Sequence, residues 1–469
     1  MVNYKTTVSA SLPQPGKSQP CSAFGCRIVD SHSSHQRSRS FLATAVLLGC
    51  IAGSTPGSHA ASVDATTRTA PKSIVAWSYE NTNSPQFEVL KEAAAKFNRE
   101  QHAYRVEMMS GNPYRDKYKE AANGTLPCLM NLDGSELAGL AWPQFLQPIE
   151  RFVTPQWLND FLPSIVAQGR YQGRLYVLGQ FDSGMVLWGN RRYLRAAGVR
   201  IPTLESPWSV AEFEENLAKL AVLKEVDYPL DLSLYVKLHQ FYSYAYSPIL
   251  QGFGGDLIDR SNYRTAKGVL DGPQSVQAMT HFQRWVQNGW ARTAPVSAEG
   301  KDFEMGKTAL SWTGHWGYFP YHQALGKDLV LMPLPDFGHG IKTGMGSITW
   351  GISSTCPYPA AAWKFLAHYL LAPETILRMT NLQGGIPSRR SALARSPLYG
   401  PHGPLKLILR QLEVAGVPRP PTPAYDTISK AFGAAVSSIV AGADVQSELS
   451  KAADIIDQGI AANQRYPYP

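Results

Sequence analysis

The chain has 469 residues, 44% hydrophobic and 17% charged, which excludes a disordered chain and exceeds one core of roughly 100–200 residues. Its net charge is +8, but residues 1–60 carry Lys5, Lys17, Arg27, Arg37 and Arg39 against Asp30 alone, a net +4. The remaining 8 − 4 = +4 is spread without a basic run, and a nucleic-acid footprint needs clustered cations, so nucleic acid is excluded as a partner.

The first predicted element is an address. Basic, polar residues to Ser40 precede the apolar run Phe41 to Gly53, shorter than the roughly 20 residues of a membrane span and matched to an export leader. Ser58-His59-Ala60 supplies small residues for cleavage, so residues 1–60 are read as an export region and 61–72 as a linker. Leu47-Leu48-Gly49-Cys50 offers a second ending, in which Cys50 is lipidated and anchors a periplasmic protein to the membrane. The stretch before Phe41 is long for a leader, and a start near Val29 would shorten it. Cys128 and Cys356 remain in the mature chain. They either pair in an oxidising compartment or sit as buried thiols.

After the linker, strands and helices alternate. Ser73 to Ser78 reads as a strand, Phe87 to Glu100 as a helix on the spacing of Phe87, Leu90, Ala94 and Phe97, and Arg105 to Met109 as a strand. Tyr114 to Asn123 follows as a helix and Leu126 to Leu132 as a strand stopped at Asp133-Gly134. This βαβαβ rhythm predicts an α/β fold of mostly parallel sheets flanked by helices. Further along, Ser209 and Glu212 form a capping-box pattern for a helix from Val210 to Leu223. Helical spacing returns at Pro273–Trp285, Pro359–Leu371, Ile428–Val440 and Val445–Ile460.

In open α/β sheets ligands bind where strands leave the sheet. The exits combine aromatics, carboxylates and glycines: Trp77 to Glu80, Asp133 to Ser135, Gln180 to Gly184, Gly314 to Trp316 and Gly346 to Trp350. Such groups suit a sugar, whose hydroxyls take planar polar partners and whose C–H faces stack on rings. A lone Trp is more often core and a lone Asp more often a helix cap; recurrence at successive exits supports the ligand reading. Eleven histidines lie scattered, with no HExxH, GxSxG or phosphate loop, so no metal, cofactor or catalytic machinery is expected. A glycoside hydrolase remains the rival, since Glu80, Asp133 and Asp182 could converge as a carboxylate pair.

The motif order resembles the family 1 extracellular solute-binding proteins from about Ser73 to Gly459. Gly173-Arg-Leu-Tyr-Val-Leu-Gly179 is similar to the family's "DGKLYGLP", and Trp188-Gly-Asn190 stands where "YYN" is usual. Pro207-Trp208-Ser-Val-Ala-Glu-Phe213 resembles "PWTWDEF", and Gly252 to Asp256 resembles "GGDL". Phe303 to Trp316 resembles "FxxGKxAMxxxGxW"; Pro359 to Leu366 and Gly384 to Ser391 complete the set. The resemblance implies a two-lobe periplasmic-binding-protein fold with the ligand in the cleft. Lobe one would be residues 73–181 plus 347–398, and lobe two 182–346 plus 399–469, with crossings near Phe181–Gly184 and Gly344–Gly346.

It also implies roles. Glu80, Asp133 and Asp182 would bond sugar hydroxyls, and Tyr244, Trp316 and Trp350 would stack or line the cleft. Gly314 and Gly346 would let backbone approach the ligand, and Arg389, in preference to Arg390, would reach it. The implied function is a monomeric carrier that delivers a sugar to the permease subunits and ATPase of an ABC importer. A disaccharide α-glucoside such as trehalose or maltose is the expected ligand; other oligosaccharides and glycerol-phosphate compounds are the alternatives within the family.

Overall fold

The computed structural model describes residues 70–111 and 117–466. The leader, the cleavage residues Ser58 to Ala60 and Cys50 lie outside the described residues, as does the first part of the helix expected from Tyr114. Strand Lys72–Trp77 pairs in parallel with Tyr104–Met109 on one side and Leu129–Asp133 on the other. Between the first two runs helix Pro85–Glu100, whose first turn is fixed by the Ser84 hydroxyl accepting from the Phe87 N–H and by proline at its start. Its buried stripe is Phe87, Leu90, Ala94 and Phe97, the spacing legible in the sequence. Each large apolar side chain so buried contributes about 1.5–3 kcal/mol. Ile348–Ile352 then adds antiparallel to Leu129–Asp133, and Val177–Gly179 closes that edge.

A second sheet is built on Phe181–Asn190, every residue of which is buried. Leu310–Gly314, Leu329–Met332, Thr343–Gly346 and Ile386–Pro387 all pair antiparallel to it. Leu230–Asp231 and Gly416–Pro418 add outside in parallel. Both sheets are thus mixed. Parallel pairing holds where a helix returns the chain to the same end; strands that enter from the other lobe run against their neighbours. Helices Pro273–Gln287, Tyr425–Val440 and Val445–Ala462 cover the second sheet, burying Phe282, Trp285, Phe432 and Ile456.

The chain leaves the first sheet at Gly179 and enters the second at Phe181; it returns from Gly346 to Ile348. These two passages touch at Ser347, whose hydroxyl donates to the Phe181 carbonyl and whose carbonyl accepts from Gly134 N–H at 2.8 Å. A Cβ on Gly179 would lie 2.0 Å from Ser347 Oγ, so this close approach requires glycine there. One local expectation is corrected. Ser209 does cap helix Val210–Ala221, accepting from Glu212 N–H at 3.2 Å, but the Glu212 carboxylate does not reach back to close the box. It takes a two-pronged bond from Arg200, 2.6 Å to each nitrogen, because that guanidinium is a stronger donor than a backbone amide.

Cys128 and Cys356 form a disulfide. It joins the start of Leu129–Asp133 to the turn after Ile348–Ile352, two segments 228 residues apart in sequence. Closing so long a loop restricts the unfolded chain. Replacing both cysteines by serine is expected to lower stability by about 2–4 kcal/mol in urea unfolding. An unchanged midpoint would show the bond to be without structural effect.

Candidate functional site

A cavity of 370 Å³ opens where the two sheets face each other, within the range of about 300–1,000 Å³ typical of ligand pockets. From the first sheet come Glu80 and Asp133. Strand Lys72–Trp77 ends in a loop held by Tyr79 N–H on Asn131 Oδ1 and Glu80 N–H on Ser78 Oγ, both 3.0 Å, which sets the Glu80 side chain at the cavity. Asp133 ends its own strand and caps the turn Gly134–Glu136: Ser135 N–H donates to Asp133 Oδ1 at 2.9 Å, and Glu136 Oε2 accepts from Asp133 N–H at 3.1 Å.

The facing wall is aromatic. Trp316 is 40% exposed, whereas the tryptophans at 188, 208, 285, 312 and 350 are buried. Tyr244 lies beside it, ring centres 6.3 Å apart, and Phe241 extends the surface. Behind them the Ser183 hydroxyl bridges Tyr244 Oη at 2.9 Å and His315 Nδ1 at 3.1 Å.

Arg419 closes the floor. Its Nη2 lies 2.7 Å from Asp133 Oδ1 with both side chains nearly buried, and its guanidinium stacks 5.2 Å from the Tyr244 ring. Burial alone would raise the Asp133 pKa, but the Arg419 charge and hydrogen bond, with those from Ser135, outweigh it and hold the carboxyl below the ordinary range. Glu80 has no such cation, and burial raises it against a weaker bond from Ser84. Burial also pushes His315 down to about 3, so its ring is neutral at physiological pH.

Of the residues expected at the site, Glu80, Asp133, Tyr244, Trp316 and Gly346 line this cavity. At Gly346 a Cβ would also meet Arg419 Nη2 at 2.6 Å, so the guanidinium needs glycine there. Gly314 lies behind the wall, and its missing Cβ leaves room for the Trp316 ring, 2.2 Å from where that atom would sit.

Three expectations are corrected. Asp182 is fully buried, accepting from Ser183 N–H and Gln168 on the side opposite the cavity. Neighbours on a strand point to opposite faces, and here Ser183 takes the cavity face. Burial raises Asp182 to about 6 against bonds from Ser164, Ser183 and Gln168. Trp350 is likewise fully buried, its Nε1 donating to Gln180 Oε1 at 3.0 Å. Its strand enters the sheet from the cleft, so Ile348 stands at the mouth and Trp350 is already inside. Arg389 turns away to Asp160, 2.7 Å from Oδ2, with its guanidinium beside the rings of Trp157 and Phe161, and Arg390 does not line the cavity either. Trp188, where the family's tyrosine pair would stand, is buried with Nε1 on the Gly314 carbonyl.

Arg419, Gln383, Ser183 and Phe241 were not singled out from sequence. Arg419 sits in Pro418-Arg-Pro-Pro421, where only the flanking prolines hinted at a fixed backbone. Gln383 brings a buried Nε2 with no hydrogen-bond partner among the described residues.

Residues 92–400 match the family model described as bacterial extracellular solute-binding protein. An uncharacterized lipoprotein of Streptomyces antibioticus is 24% identical over 383 residues, covering 77% of this chain and 79% of its own. The maltotriose-binding protein of Pyrococcus abyssi is 24% identical over 250 residues, 52% of this chain and 50% of its own. Among solved structures, the GacH receptor of Streptomyces glaucescens, known unliganded and with acarbose, superposes with a TM-score of 0.67 at 21% identity, covering 84% of this chain and 98% of its own.

The ion pair yields a pH test. Because its folded pKa is depressed, Asp133 contributes stability above its unfolded value near pH 4, and that contribution is lost as pH falls through the lower folded value. Arg419→Met leaves a buried carboxylate without its cation. A loss of about 3–5 kcal/mol is expected at pH 7, shrinking as the pH approaches 4 and the acid protonates. Urea unfolding of parent and variant across this range measures it; a pH-independent loss would sink Asp133 as the cause.

Proposed function

This chain belongs to the bacterial extracellular solute-binding proteins, and from that premise we propose that it captures an oligosaccharide in the cleft and delivers it to an ABC importer. One observation carries the reading: the exposed indole of Trp316 faces a polar floor of Glu80, Asp133 and Arg419 across a 370 Å³ cavity. A pyranose has one apolar C–H face and a rim of hydroxyls, and this cavity offers a surface for each. The polar side is incompletely used. The hydrogen bonds to the Asp133 carboxylate converge on Oδ1, which leaves Oδ2 for a sugar hydroxyl.

Within that class we assign an α-glucoside of the maltose series. The names of two relatives, one a binder of maltotriose and one crystallised with acarbose, support this choice over trehalose. A phosphorylated ligand fits the cleft less well, because Arg419 is already neutralised by Asp133. A hydrolase needs two carboxylates on either side of one bond, whereas Asp182 points into the core and Asp133 is held by Arg419.

The lobes are taken as residues 73–181 plus 347–398 and 182–346 plus 399–469, closing on the sugar about the passages at Ser347. Export to the periplasm, with anchoring through Cys50, is supported by the leader, by the disulfide and by the lipoprotein relative. There the closed form would dock on the importer's permease subunits.

Trp316→Ala tests the stacking role. Removing the central ring should weaken maltotriose binding roughly 30- to 1000-fold, or about 2–4 kcal/mol. The melting temperature should hardly move, because Trp316 is exposed rather than core. Calorimetric titration with a parallel melt measures both, and a stable variant that binds as the parent does would rule the platform out.

A further inference from the structure

Past Arg419 the groove between the lobes runs on through an opening of 170 Å³ into another of 240 Å³, which share Arg170, Tyr171 and Pro421. The outer opening gathers Arg170, Arg264 and Arg465 with Tyr263 and Tyr466. Arg170 stands on the hairpin Arg170–Tyr171 and Arg174–Leu175, whose Tyr171 packs in the core beneath the first sheet. Tyr263 and Tyr466 pack on the core of the second, and Tyr466 reaches back to Trp142 with ring centres 5.0 Å apart. The three cations therefore come from both lobes.

Among the described residues none of the three arginines has an ion-pair partner. Arg170 donates to the Gly173 carbonyl at 2.7 Å, and no carboxylate among the described residues reaches Arg264 or Arg465. The nearby acids are engaged elsewhere: Asp259 by Ser261 N–H and Asn262, Asp457 by Thr265 and Ala266 N–H. Guanidinium groups gathered around one opening present planar donor forks, which match a tetrahedral oxyanion. We propose that this opening is a phosphate-class oxyanion site, separate from the sugar cleft and spanning both lobes. An anion held there draws Arg170 toward Arg264 and Arg465, which favours the closed form and, resting on the sugar reading, tightens sugar binding by linkage.

Thermal melts of the purified chain in inorganic phosphate, against sodium chloride of equal ionic strength, test the site. The parent should show a rise in Tm that saturates with phosphate. Arg170→Gln/Arg465→Gln should need at least about tenfold more phosphate, since two charged donors are lost. Its affinity for maltotriose in chloride should be unchanged. A melt no more sensitive to phosphate than to chloride, or an equal response from the double variant, overturns the site. Maltotriose titrated with and without phosphate, beside a phosphorylated maltotriose in chloride, separates free anion from sugar-borne anion. If maltotriose does not bind at all, the sugar reading fails, and the phosphate melts still decide the oxyanion site.

Discussion

Asp133 and Arg419 meet 2.7 Å apart with little solvent on either, and they arrive from segments of the chain that belong to different sheets. Taking two charges out of water is unfavourable unless other groups satisfy them, and the surroundings are arranged to do so. On the carboxylate side, Ser135 adds two donors, and Glu136, itself paired with Lys117 at 2.5 Å, holds the Asp133 amide. On the cationic side the guanidinium lies between the rings of Tyr244 and Tyr425. Tyr244 in turn bonds Ser183, and Ser183 meets His315. The polar floor of the cleft is thus one connected network from Lys117 to His315, and moving any member changes the others.

The network also sets what the site can recognise. Arg419 adds no net charge to the floor, because Asp133 cancels it, and His315 stays neutral under the burial that depresses its pKa to about 3. Glu80 is the carboxylate of the cleft without a cation, and burial raises its pKa toward the neutral form. Recognition therefore falls to oriented hydrogen bonds and ring faces rather than to charge. That division agrees with a neutral sugar in the cleft.

Much of this fold was legible in residue spacing. The stripe Phe87, Leu90, Ala94 and Phe97 and the Ser209 cap are local signals, and local physics decides them. The site was legible where a residue lies at the cleft end of a strand that runs toward it, as Glu80 and Asp133 do. It was not legible where long-range partners decide. Arg389 appears free in the sequence until Asp160, Trp157 and Phe161 are brought beside it. Arg419 was passed over because its partner is 286 residues earlier, a pairing that no spacing rule can reach (419 − 133).

Strand direction accounts for the remaining errors. A strand exit is a ligand position only when the chain runs toward the cleft; Ile348–Ile352 runs away from it, so the cleft residues are Gly346 to Ile348 and the aromatic four positions later is core. Likewise one step along Phe181–Asn190 moves a side chain from the cavity to the opposite face, which separates Ser183 from Asp182. The glycines follow the same logic. Gly314 and Gly346 stand where an indole ring and a guanidinium press against the backbone, and a Cβ at either would displace the group that builds the wall. They mark the cleft because the side chains that build its wall are large.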